Sequence, residues 1–279
     1  MDPDALKGGH MRIGFLQLRV RFGEVKANVR RAVSLLSKVS DATIVLPELF
    51  NTGYLFKNLK ELDSLAEPVQ RGYTTTQLKK VAQKRNLNIV FGMAEKKGRA
   101  YYNSAVCITS KGKIDIYRKI HLFDREKLFF AQGQSLKVTA VPGARLGMMI
   151  CFDWIMPEAA RVLALKGAQI LVHPANLVLP WGQDAMRTRC IENRVFGVTA
   201  NRIGTERRGT LNLTFTGGSQ IISPTGEVLV SAGDRSDSLK VVEIDIAQAD
   251  DKHVTPANDI FDDRFPAVYK PITLKNPRR

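Results

Sequence analysis

Two rhythms of apolar and polar positions alternate along this chain, one of short strand-like runs and one of helical stripes. Residues 12–18 read as a strand, 24–38 as a helix with Val29, Val33 and Leu36 on one face, and 43–46 as a short buried strand. A second round predicts a helix at 75–85, strands at 88–94 and 101–109, a Ser110-Lys111-Gly112-Lys113 turn and a strand at 114–118. Residues 145–150 form another apolar strand, Pro157 stands at the first turn of a helix reaching Lys166, and 169–172 is a strand again. The last third predicts a helix at 183–196, a strand at 197–201, a hairpin turning at Ser223-Pro224-Thr225-Gly226 and a strand at 239–246. Because hairpins interrupt the alternation of strands and helices, the pattern predicts a mixed, layered α/β sandwich rather than a wholly parallel sheet.

The same pattern divides the chain. Residues 1–10 read as an expression leftover, since Gly8-Gly9-His10 runs into a second start at Met11. Residues 11–246 are expected to form one domain, long enough to bury a substantial core. The remainder, 247–279, is polar, holds Pro256, Pro266, Pro271 and Pro277, and reads as an extension seeking a surface, with a partner subunit as the candidate. No apolar run of eighteen residues occurs and no secretory leader is recognisable, so a cytoplasmic protein that does not enter a membrane is the expectation.

Charge and cysteine content narrow the reading further. Lys and Arg outnumber Asp and Glu by 42 to 27, giving a formal net charge of +15. The basic residues come as scattered pairs (Arg30-Arg31, Lys79-Lys80, Lys96-Lys97, Arg207-Arg208), which fits a solvated basic surface better than a nucleic-acid interface. Cys107, Cys151 and Cys190 lie far apart with no C-x-x-C pair, so neither a disulfide framework nor a structural zinc is indicated. Cys107 in an apolar strand and Cys190 in a helical pattern read as packing residues.

Three residues fall at strand ends with complementary chemistry. Cys151 follows the strand 145–150 in the turn before a helix, where the helix dipole would favour a thiolate and free backbone N–H groups could hold an oxyanion. Glu48 follows Ile44-Val45-Leu46-Pro47, a partly desolvated place for a base. Lys119 ends the strand 114–118, where a fixed ammonium could stabilise developing negative charge. Each has an ordinary alternative: a small core thiol, a solvated loop acid, a surface lysine. Their convergence at one sheet edge is what would make a site.

At these residues the sequence resembles the nitrilase-like carbon-nitrogen hydrolases. Leu46-Pro47-Glu48-Leu49-Phe50, Tyr117-Arg118-Lys119-Ile120-His121-Leu122-Phe123 and Ile150-Cys151-Phe152-Asp153-Trp154 match that family's signatures in order. The likeness extends through Tyr102-Asn103-Ser104, Pro157-Glu158 and His173-Pro174-Ala175-Asn176. It implies a four-layer α-β-β-α sandwich of two mixed sheets flanked by helices, and a Glu48, Lys119, Cys151 triad without metal or organic cofactor. It also implies that Glu126 orients Lys119 and the substrate, that the Phe152 N–H and Lys119 form the oxyanion site, and that Phe152, Trp154, Tyr54 and Asn176 contact substrate. The implied reaction converts a small amide to its acid and ammonia through a cysteine thioester; a nitrile or an N-carbamoyl amine is the alternative substrate. A homodimer or a higher even oligomer is implied, with the helix 183–196 and the C-terminal segment as candidate interface. Where several small-amide hydrolases of the family carry an arginine, this chain has Trp154-Ile155-Met156, which disfavours dicarboxylate amides, although Arg161 lies nearby. Trp154, Phe50 and Tyr54 could form an apolar pocket for a rod-like nitrile. Two rivals remain: a Cys-His-Asp hydrolase using His121 or His173, and a basic binding protein that kept the scaffold without activity.

Overall fold

The computed structural model of the chain describes residues 9–274. Chain order already shows how two sheets are woven. β1 (His10–Arg19), β2 (Ala42–Val45), β3 (Leu87–Lys97), β4 (Ala100–Ile108) and β5 (Ile114–Arg118) begin the first sheet. β6 (Val138–Val141), β7 (Ala144–Met148), β8 (Ile170–Pro174) and β9 (Phe196–Ala200) begin the second. β10 (Arg202–Arg208) and β11 (Leu211–Thr216) return to the first sheet, β12 (Gln220–Ile222) and β13 (Val228–Ser231) to the second, and β14 (Ser238–Asp245) pairs with β1. Both sheets are mixed: β1, β2 and β3 run parallel, as do β7, β8 and β9, while the outer pairs are antiparallel.

Side-chain alternation assigns the layers. On β1, Ile13 and Phe15 face the second sheet, whereas Leu16 and Leu18 face outward. Val45 and Val90 repeat the inward choice, and Ile44 and Ile89 the outward one. The outer face is covered by α1 (Val25–Leu36) and α3 (Tyr73–Arg85), with the short α2 (Leu59–Leu65) between them in the chain. On the other side α4 (Pro157–Leu165) and α5 (Gly182–Asn193) cover the second sheet through Ala160, Leu163, Met186 and Cys190. The result is the four-layer α-β-β-α sandwich. Its central strands are buried on both faces, which is why they read as unbroken apolar runs.

Several boundaries differ from expectation. β1 starts at His10, which pairs with Asp245, so His10 belongs to the fold rather than to the leftover; residues 1–8 of that segment lie outside the described ones. The helix expected at 183–196 stops at Asn193 because Arg194 turns left-handed (φ 46°) and the chain enters β9 at Phe196. The β10–β11 hairpin was not read from the sequence, since this edge ribbon alternates charged and hydroxyl side chains with few apolar ones. The C-terminal extension is pinned at its start: Ile246 and Ala249 are buried, and Lys252 Nζ donates to the carbonyls of Ala249, Arg194 and Asn193. Farther on, Phe265, Val268, Ile272 and Leu274 are exposed.

Candidate active site

The strand ends meet where the sandwich opens at one edge. Cys151 follows β7 and adopts φ 39°, a left-handed conformation costing a non-glycine residue about 1–3 kcal/mol, and one found at functional turns. Surrounding bonds hold it there. Asp153 accepts from the Ile150 N–H (2.8 Å) and from the Tyr117 hydroxyl (2.7 Å), tying the cysteine turn to β5. His173 Nε2 lies 2.8 Å from the Cys151 carbonyl, and its Nδ1 lies 3.2 Å from the Thr199 hydroxyl. A carbonyl only accepts, so Nε2 carries the proton; burial holds the His173 pKa down and the ring neutral.

This geometry corrects the helix-dipole argument. Residues 151–155 form a single 3₁₀ turn, and α4 begins only at Pro157. Burial, and then the negative charge of Glu48, push the Cys151 thiol well above its ordinary pKa. The resting group is therefore a thiol, which would act as a nucleophile only with a base to take its proton.

Glu48 and Lys119 are fully buried, Glu126 nearly so, and they share one ion-pair chain. Lys119 Nζ donates to Glu48 Oε1 and to Glu126 Oε1, each at 2.7 Å. Asn103 Nδ2 donates to the same Glu48 oxygen at 2.6 Å, which leaves Glu48 Oε2 buried without a partner. The lysine is placed by its backbone, whose N–H bonds the Asn103 carbonyl at 2.9 Å. Glu48 is placed by a close approach: a Cβ on Gly92 would stand 2.4 Å from the Glu48 Cα, so only glycine fits there. Burial works against the ammonium, but Glu126 and Glu48 outweigh it and hold the Lys119 pKa above the usual range. Burial pushes Glu126 up to about 7 despite Lys119.

The cleft beside the thiol is narrow and uncharged. Phe123, Phe152, Trp154, Leu177, Val178 and Leu179 line it, together with Cys151 and Asn176, around about 10 Å³ of free space. That volume holds roughly one water molecule. Ile155 and Met156 do not line it. Phe50 packs edge-on against Phe91 under the outer helices, so it forms no pocket with Trp154 and Tyr54. Arg161 turns away, donating to the Glu192 carbonyl and lying over the Phe261 ring.

A model of the carbon-nitrogen hydrolase family matches residues 12–253, nearly the whole chain. The chain belongs to the carbon-nitrogen hydrolase family. It is 43% identical to a nitrilase of Pyrococcus abyssi over 93% of this chain and 99% of that protein. It is 33% identical to an (R)-stereoselective amidase of a Pseudomonas species, over 85% of this chain and 86% of the relative. The crystal structure of a carbon-nitrogen hydrolase from Helicobacter pylori superposes with a TM-score of 0.86 at 27% identity, covering 95% of this chain and 99% of that one. It is therefore an enzyme of carbon-nitrogen bond hydrolysis.

In this hydrolase the Tyr54 hydroxyl donates to Glu126 Oε1 at 2.7 Å, the oxygen that also receives Lys119. The Tyr54 loop is in turn held by Glu206, which accepts from the Tyr54 N–H (3.1 Å) and the Leu55 N–H (2.5 Å) and pairs with the buried Arg202 at 2.6 Å. Sequence reasoning missed Glu206, Arg202 and the partner role of Asn103. The signal for the ion pair was slight: two opposite charges four apart share one face of a strand. Neither imidazole bonds the Cys151 sulfur among the described residues; His121 Nδ1 sits 2.7 Å from Asp153 Oδ1.

Glu126 gives the site a pH dependence. Its folded pKa lies above the ordinary carboxylate value, so it favours the fold at low pH and that contribution is lost as pH rises through about 7. For activity the sign is opposite. Protonated Glu126 no longer holds Lys119 with a full charge, so kcat/KM is expected to fall as pH drops through about 7. Tyr54→Phe removes a bond that favours ionised Glu126 and should move this acid limb up by about one unit. An unshifted profile would remove Tyr54 from the ionisation of the site.

Proposed function

We propose that this hydrolase converts a small amide to the carboxylic acid and ammonia through a Cys151 thioester, with Glu48 as general base, Lys119 as the cation and Glu126 as its support. The observation that carries the reading is Glu48 Oε2, a buried carboxylate oxygen with no partner on a group whose other oxygen receives two bonds. A free lone pair on a carboxylate whose charge acts on the Cys151 thiol suits proton abstraction. Glu48 takes the thiol proton and Cys151 attacks the amide carbon. Lys119 keeps one N–H beyond the two given to carboxylates, and the Phe152 N–H has no acceptor among the described residues. Those two donors are suited to the oxyanion. Protonated Glu48 then returns its proton to the departing ammonia. Finally it activates water, which releases the acid and restores the thiol. Tyr54, Phe152, Trp154 and Asn176 complete the proposed substrate surroundings, Tyr54 through Glu126.

A nitrile is the second reading, favoured by the 43% identity to a protein named nitrilase; an N-carbamoyl amine is the third. The amide is preferred because its path to the thioester needs one addition and one expulsion of ammonia, for which a single acid-base glutamate suffices. A nitrile must also gain a proton at nitrogen and take up water before ammonia leaves. Ammonia release from an amide and a nitrile of the same acid, with Cys151→Ala as blank, should favour the amide. Rapid loss of the nitrile, with its amide neither consumed nor formed, would make the enzyme a nitrilase.

The exposed Ile191 on α5, with Phe265, Val268 and Ile272 of the extension, supports a homodimer or an even multiple of it. Light scattering at micromolar concentration should give at least twice the chain mass, and a monomer would remove this proposal. No helix among the described residues is long and apolar enough to cross a membrane, and a cytoplasmic enzyme that does not use nucleic acid is the accompanying proposal.

A further inference from the structure

Asn176 stands two residues past β8, is 2% exposed and lines the cleft with Cys151. Its side chain is anomalous, because neither Nδ2 nor Oδ1 has a hydrogen-bond partner although both are buried. Leaving such an atom unpaired costs about 1–3 kcal/mol. The neighbouring Asn201 shows what this fold does with a structural asparagine: Oδ1 accepts from the Leu177 N–H at 2.8 Å, and Nδ2 donates to the Thr216 hydroxyl and the Gly217 carbonyl. An amide left idle in the cleft, one loop away from one fully used, is reserved for something that enters.

We infer that Asn176 is a specificity-determining residue that accepts an N–H of the scissile primary carboxamide through Oδ1, so that the site selects amides over acyl compounds without an N–H. The inference rests on the proposed hydrolase reading and deepens it. Directions on the reacting carbon support the assignment. Lys119 and the Phe152 N–H are cationic or donating and suit the carbonyl oxygen, whereas Glu48 Oε2 and Asn176 Oδ1 are unpaired acceptors and suit the two N–H bonds of a primary amide. The remaining lining side chains are those of Phe123, Phe152, Trp154, Leu177, Val178 and Leu179, none of which carries an acceptor. A site built to bond an N–H discriminates against analogues lacking it, because its own buried acceptor then stays unpaired.

The test compares two acyl donors that share one acid. Primary amides of straight-chain acids with two to six carbons are screened by ammonia release, and the best is matched with the S-methyl thioester of the same acid. The thioester acylates Cys151 without presenting an N–H. Asn176→Leu should lower kcat/KM for the amide about 100-fold, the size of one lost bond plus one unpaired group, and change the thioester rate less than threefold. Asn176→Ser, smaller and still polar, covers the case in which leucine disturbs folding, and both variants are checked by thermal unfolding. Equal losses on the two donors would overturn the inference while leaving Cys151 hydrolysis standing. If wild type acylates with the thioester but hydrolyses no amide, the inference also falls. Failure of Cys151 to react with either donor would overturn the inference together with the hydrolase reading beneath it.

Discussion

Lys119→Ala is expected to lower turnover by ~10³-fold or more and to destabilise the fold at the same time. The first effect follows from the oxyanion: a preorganised donor in a dry site contributes about two to three powers of ten, and this donor also carries a full charge. The second follows from burial. Lys119 is wholly enclosed between Glu48 and Glu126 at 2.7 Å from each, so its loss leaves two buried carboxylates facing one another. Breaking a buried pair costs roughly 3–5 kcal/mol. Glu126, already pushed up to about 7, relieves part of that cost by taking a proton. The loss in melting temperature should therefore be larger above neutral pH and shrink on acidification. A surface lysine, the ordinary alternative for this position, would show no such loss of stability. Activity above a tenth of wild type would contradict the role of Lys119. His121→Ala and His173→Ala should leave measurable activity, since His173 grips a backbone carbonyl and His121 binds Asp153.

Glu48→Gln is the second large effect. Glutamine keeps an oxygen that can accept from Lys119 and Asn103, so packing is preserved while the base is lost. General-base removal costs about 10²–10⁴-fold. Because the proposed mechanism has the same group deliver the proton to ammonia and activate water, acylation and deacylation should both slow. Undiminished ammonia release by the Glu48→Gln enzyme would assign the base to another residue.

The parts legible in the sequence share a physical reason. Glu48 and Cys151 follow buried strands whose apolar runs are readable, Lys119 follows the edge strand β5, and a strand end fixes where the next side chain emerges. The same runs foretold a mixed, layered α/β sandwich, with Pro157 marking the start of α4, and the family resemblance supplied its two sheets. The rest depended on tertiary placement. Nothing local tells that Asn103 turns its amide to Glu48, or that Glu206 reaches across 152 positions to hold the Tyr54 backbone. The helix-dipole argument failed because a 3₁₀ turn with a left-handed cysteine separates β7 from α4. Phe50 was misplaced for a simpler reason. It lies two residues past Glu48, but the left-handed Leu49 between them (φ 46°) sends the two side chains to different sides of the sheet.

The most direct test of the account is the covalent state of the protein during turnover. A rapid acid quench of wild type with its best amide, followed by digestion and peptide mass analysis, should show the acyl group of the amide on Cys151. Cys107 and Cys190 should stay unmodified, since both are wholly buried in the core and neither lines the cleft that Cys151 lines. An acyl group on Cys107 or Cys190 with Cys151 untouched, or turnover undiminished in Cys151→Ala, would contradict the central claim.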